Sequence, residues 1–345
     1  MLKNRWSYTS RLEKRQFYST VFIISSVVLL ELILIDIISG AFYGRISYYF
    51  DLLFGDYFTG LRAEELGMIK SNLVLTLTAW LSFGITCGML ILFLRRSKTK
   101  YDLNINNRVS VRFKMPENWL VLMLFGLAIV YMFGVFSAVF DLILGSMGIE
   151  KIIYEELPFP GTAFGVIIYF AALVISPAIL EEFFCRYLIL NALRKYGDGF
   201  AMIVSSVFFG LLHGRTSAFF FATAVGFFLA YFAIKTKSIW FPVILHAFIN
   251  FMAFFWHFIS DLTQSDRLYE LISFSFWTVL FGVSAVYIIS VIRKRQDLGL
   301  EKRRDYIHIS RGRKIFVFFN AATIIFIILA FMHSAGEYYM PGVYW

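Results

Sequence analysis

The chain has 345 residues, of which 59% are apolar, 19% aromatic and 16% charged, an apolar share that no soluble core can bury and a charge too sparse for a soluble surface. The formal net charge of +9 does not point to nucleic acid, because Lys and Arg form short clusters between apolar runs instead of one basic face. Two cysteines, Cys87 and Cys185, both inside apolar segments, suggest neither a disulfide framework nor a cysteine metal site.

A basic stretch from Met1 to Gln16 precedes an apolar run that is too long for a signal-peptide core and has no small-residue cleavage site, so it is expected to stay as the first span. Further apolar runs long enough to cross roughly 30 Å of hydrocarbon as helices follow one another along the chain. Spans are expected at 19–43, 71–94, 118–146, 161–195, 200–214, 217–235, 239–259, 270–292 and 314–333. The expected fold is all-α, a polytopic transmembrane helix bundle of about nine spans with the lipid bilayer as its partner. No repeat or low-complexity tract occurs, the loops near 95–117 and 293–313 are too short to fold alone, and the Gly342–Trp345 tail has no cysteine to prenylate.

The loops alternate in sign. Lys3, Arg5, Arg11, Lys14 and Arg15 come first, then Arg95, Arg96, Lys98 and Lys100, then Arg194 and Lys195, then Lys235 and Lys237, then the cluster from Arg293 to Arg304. Between them, on the other side, fall Asp51, Asp56, Glu64 and Glu65, then Glu150, Glu155 and Glu156, then Asp261, Asp266 and Glu270, and last Glu337. The positive-inside rule then expects a cytoplasmic N-terminus and an extracytoplasmic C-terminus.

Ionisable side chains inside a bilayer are costly and mark function or an internal partner. They concentrate between 161 and 259 as Glu181, Glu182, Arg186, His213, Arg215, His246, Asn250 and His257. Arg186 lies four residues after Glu182 and so shares its helix face, whereas Glu181 points about 100° away. One carboxylate is neutralised and one is left free. His246 and Asn250 share a face by the same spacing. Helix rise places Glu181 about 21 Å below the basic loops, His213 about 21 Å and His246 about 14 Å, close enough to meet.

The series E-E-x-x-x-R, then F-x-x-x-H, then H-x-x-x-N on successive apolar helices resembles the CAAX-processing and bacteriocin-immunity family of intramembrane proteases, the CPBP or Abi family. The resemblance covers about 161–259. It divides the chain into an N-terminal membrane region, 1–150, with three helices, a protease-like core, 151–260, and a C-terminal region, 261–345, with two helices. It implies that Glu181 and His213 activate a water, that His246 and Asn250 hold the oxyanion, and that the substrate is a peptide or membrane protein. The chemistry of the residues agrees, since peptide hydrolysis needs a base for water, donors for the oxyanion and an acid for the leaving amine. The Lys/Phe/Ile-rich composition and compact loops look bacterial, which implies a cell-membrane, multi-pass protein.

Other readings stand beside this one. Glu181, His213 and His246 are also a ligand set for zinc, although they come from three helices without a His-Glu-x-x-His arrangement, so the expectation is no cofactor with Zn as the alternative. Glu182 with Arg186 reads as a supporting salt bridge, and Asn250 or the Glu/His groups could merely join helices. A non-proteolytic scaffold or self-immunity protein would use the same polar groove. Glu31, Asp36 and Asp141 are intramembrane acids without an obvious mate, and a transporter path is the weaker reading of them because no inverted repeat accompanies them. His257, His308 and His333 lack partners in register and are expected to be structural or interfacial. Arg215 is expected either to meet a substrate carboxylate or to end a helix.

Overall fold

Backbone polar groups in lipid must bond within their own segment, so each apolar run closes as a helix. The computed structural model describes residues 10–96, 108–148, 150–151, 159–214, 216–263, 265–294, 307–335 and 338–339. Its helices are α1 (Arg11–Phe54), α2 (Ala63–Arg96), α3 (Trp119–Ser146), α4 (Ala163–Arg194), α5 (Asp198–Leu212), α6 (Thr216–Thr236), α7 (Trp240–Thr263), α8 (Asp266–Arg293), α9 (Arg311–Phe319) and α10 (Ala321–Ala335). α1 opens on a capping box in which Ser10 and Glu13 bond each other's backbone N–H.

Seven of these helices are long and apolar enough to cross a membrane, and the bent α9–α10 pair makes up to eight. The chain is a multi-pass membrane protein. The expectation of nine counted α5 as a full span, yet its 15 residues reach only about 22 Å, short of the hydrocarbon thickness. It also treated 314–333 as one rod, whereas Asn320 adopts an extended conformation and the two pieces meet at 51°. The Asn320 side chain caps the break, accepting from Thr323 N–H and donating to the Val317 carbonyl and to Ser25 Oγ on α1.

The ends of the helices sort onto two faces. On one, Ser110 bonds Lys237 and Ile239 through the backbone, Ile307 N–H donates to Lys195, Lys314 Nζ donates to the Tyr196 carbonyl, and Arg194 pairs with Asp198 at 2.8 Å. On the other, Lys70 pairs with Asp51, Gly161 N–H donates to Glu65 at 2.9 Å, and a two-residue ladder joins Glu150–Lys151 to Tyr338–Tyr339. The loops around Ser110, Lys195, Lys237 and Ile307 thus meet on one face. Lys3, Arg5, Lys98, Lys100, most of the cluster that ends at Arg304, and Glu155, Glu156 and Glu337 lie outside the described residues.

The largest core cluster joins α1 and α2 (Val27, Val28, Phe83, Cys87) to α4 and α5 (Leu180, Phe184, Cys185, Phe208). α4 is the axis of this packing and is not uniform. Two π-helical segments, Ala171–Ile175 and Phe183–Leu190, flank a seven-residue α stretch, Ser176–Glu182, that contains Pro177. Pro177 has no N–H to give to the carbonyl of Leu173, and the wider π turn is how a helix absorbs such a break.

Candidate active site

The short stretch between the two π segments carries Glu181 and Glu182, and the bundle treats them differently. Glu182 is fully buried. Its Oε1 lies 3.1 Å from Arg186 Nη1, one helical turn on, and 3.1 Å from His246 Nδ1 on α7. Arg186, also 0% exposed, donates through Nη2 to the Gly226 carbonyl of α6 at 3.1 Å, and its guanidinium lies 4.3 Å from the centre of the Phe209 ring. An arginine has five donors in a planar fork; here the guanidinium faces a carboxylate, a carbonyl and an aromatic ring, while Nε has no hydrogen-bond partner.

Glu181 is half-buried. Its Oε2 is shielded and has no hydrogen-bond partner. His213 lies at the end of α5, where the short helix stops and Gly214 turns the chain at φ 63°. Its ring is exposed, and Nδ1 lies 2.8 Å from the Phe209 carbonyl. A carbonyl only accepts, so Nδ1 carries the proton and the neutral ring keeps its lone pair on Nε2. No hydrogen bond joins Glu181 to His213.

Asn250 Nδ2 donates to the Leu173 carbonyl at 3.0 Å. That carbonyl is the one Pro177 leaves without its α-helical donor, so α7 repairs the break in α4 from outside. An amide has two N–H protons, and this bond uses one. The structure therefore groups Glu182, Arg186 and His246 directly, attaches Asn250 to the same helix, and holds His213 through Phe209. The Phe209 ring touches the His213 ring at 4.9 Å and the His246 ring at 5.6 Å.

Phe209 and Gly226 are the functional neighbours that residue-by-residue reading misses. The Phe of F-x-x-x-H was the available signal for the first. For Gly226 there was none: a Cβ there would lie 3.0 Å from Phe209 Cδ1 and 3.3 Å from Arg186 Nη2. Among the described residues no group of three His, Cys, Asp or Glu side chains is arranged to hold a metal.

The remaining ionisable groups find mates that spacing does not reveal. His257 Nδ1 lies 2.9 Å from the Tyr169 hydroxyl, and the expectation that it lacks a partner is corrected. Glu31 meets Ser82 and Thr86 of α2, which corrects the same expectation for that acid. Asp36 and His308 are exposed and Asp141 is half-buried; Arg215 and the side chain of His333 lie outside the described residues.

Residues 162–252 match the family described as type II CAAX prenyl endopeptidase Rce1-like, a segment that holds every residue of this constellation. The match supports assigning this segment to the CAAX-processing and bacteriocin-immunity family. A similar curated protein is the "Putative membrane peptidase YdiL" of Bacillus subtilis (strain 168), 38% identical over 78 residues, which is 22% of this chain and 32% of that relative. The aligned part is thus about a third of the relative's length. No solved structure matches the chain.

Proposed function

We propose that this chain is an intramembrane endopeptidase of the glutamate type, acting on peptides or membrane proteins in a bacterial cell membrane, without a metal or other cofactor. The observation that carries the reading is the unequal setting of two adjacent carboxylates: Glu182 is fully buried and shares its Oε1 with Arg186 and His246, whereas Glu181 is half-buried, makes no ion pair among the described residues and keeps an oxygen without a hydrogen-bond partner. A carboxylate that serves as a general base must have an oxygen that is not already bonded.

In this reading Glu181 takes a proton from water, His213 Nε2 accepts from the same water, and the oxygen attacks the scissile carbonyl. The negative charge on the carbonyl oxygen is met by the second N–H of Asn250 and by His246 Nε2. His246 donates from Nε2 only when the ring carries both protons, since Nδ1–H is directed at Glu182. Glu181 returns its proton to the leaving amine as the C–N bond breaks. The basic loops face the cytoplasm, so the N-terminus is cytoplasmic and the C-terminus extracytoplasmic.

The test is cleavage of a peptide library by the detergent-purified protein beside its Glu181→Gln variant. Turnover is expected to fall about a thousandfold while thermal unfolding is unchanged. Equal turnover by both proteins would remove Glu181 from the mechanism, and no cleavage by either would leave the scaffold reading.

A further inference from the structure

Glu31 lies outside the family-matched segment, in the middle of α1, and is 2% exposed. Among the described residues no Lys, Arg or His forms an ion pair with it, and an unpaired carboxylate at membrane depth is costly.

The surroundings suit a neutral acid. Ser82 Oγ is 2.7 Å from Glu31 Oε1, and Thr86 Oγ1 is 2.5 Å from Oε2. The Thr86 hydroxyl also lies 3.0 Å from the Ser82 carbonyl, and a hydroxyl has one proton to give. With the acid protonated on Oε2 the chain closes: Glu31 donates to Thr86, Thr86 donates to the Ser82 carbonyl, and Ser82 donates to Glu31 Oε1.

The clamp sits one helix away from the site. Ser82 and Thr86 adjoin the face of α2 that packs on α4, where Trp80 Nε1 donates to Ser176 Oγ at 3.0 Å and the Phe83 ring meets Phe184 edge-on at 5.5 Å. Ser176 opens the short stretch that ends in Glu181 and Glu182. We propose that Glu31 is a positioning residue carried as a neutral carboxylic acid: it fixes the rotation of α2, and α2 holds the Glu181 stretch through Trp80 and Phe83. Its effect on turnover rests on the protease reading; its charge state does not.

The experiment compares wild type, Glu31→Gln, Glu31→Leu and Thr86→Val in lipid at neutral pH, by infrared spectroscopy and by peptide cleavage. The carbonyl stretch of a protonated carboxylic acid is expected in wild type, shifted in Thr86→Val and lost in Glu31→Gln. Turnover is expected within about threefold of wild type for Glu31→Gln, which keeps the hydrogen bonds, and reduced about tenfold or more in kcat for Glu31→Leu. A spectrum unchanged by Glu31→Gln, a Glu31→Gln variant as inactive as Glu181→Gln, or full activity in Glu31→Leu each overturns the proposal. If Glu31→Leu does not fold, Thr86→Val and Glu31→Gln still decide it. A wild type that cleaves nothing removes the protease reading, and the infrared band and its Thr86→Val shift then decide the neutral acid alone.

Discussion

Glu181 and Glu182 are consecutive residues of one helix, yet one is locked and the other open. Glu182 shares its Oε1 with Arg186 and His246 and is sealed from solvent. Each carboxylate keeps one oxygen without a hydrogen-bond partner, but Glu181 is half-buried and, like the exposed His213, open to solvent. The difference follows from the roughly 100° between neighbouring side chains on a helix, which turns one toward α6 and α7 and leaves the other at the edge of the packing. On the proposed mechanism the locked half supplies rigidity and the open half the chemistry, because a reacting group must be held by its neighbours without being used up by them.

Breaking the locked half should have the largest effect. Arg186→Met removes the cation that faces the buried Glu182 and frees the Gly226 carbonyl, and should cost about 3–5 kcal/mol of stability, read as a large fall in the thermal midpoint in detergent. Glu182→Gln should cost less, because Arg186 keeps the Gly226 carbonyl and the Phe209 face. An Arg186→Met protein as stable as wild type would show that this cluster locks nothing.

Asn250 tests where the two halves meet. One amide proton is fixed on the Leu173 carbonyl, which would aim the other. Asn250→Ala should lower kcat about a hundredfold with little change in KM, the usual effect of losing one oxyanion donor. A fall of about 1 kcal/mol in stability with kcat intact would instead assign Asn250 to the repair of the Pro177 break alone.

Part of the motif geometry was legible because spacing on a helix dictates which side chains share a face: the ion pair of Glu182 with Arg186 follows from their four-residue separation. The sequence did not disclose that His246 bonds Glu182, since a contact between α4 and α7 depends on helix rotations that no local pattern encodes. The π segments were illegible for a related reason, because a shifted hydrogen-bond register leaves no side-chain signature beyond Pro177. The long apolar runs announced the helices, but the length of α5 and the break at Asn320 turn on one or two residues at helix ends, where patterns are weakest.

A smaller effect is expected where the scaffold brings the locked and open halves together. α5 and α6 come close together at Gly210, where a Cβ would stand 2.8 Å from the Phe219 carbonyl oxygen and 3.1 Å from Thr223 N. These are backbone atoms, so the helices must separate. Gly210→Ala should cost about 1–3 kcal/mol, and because Phe209 and His213 ride on the same helix, kcat should fall with it. Retained stability with normal turnover would mean that the two helices are free to slide.

Metal removal should have the smallest effect of all. Nδ1 of His246 is directed at Glu182 and Nδ1 of His213 at the Phe209 carbonyl, so each ring has one nitrogen left. A zinc site would need both of those nitrogens and Glu181 to converge at about 2 Å from one point. The side chains are not so arranged among the described residues. Incubation with a strong chelator followed by desalting should therefore leave peptide cleavage within about twofold of the untreated protein. Loss of activity that zinc restores would show that the open half closes around a metal, and would move Glu181 from base to ligand.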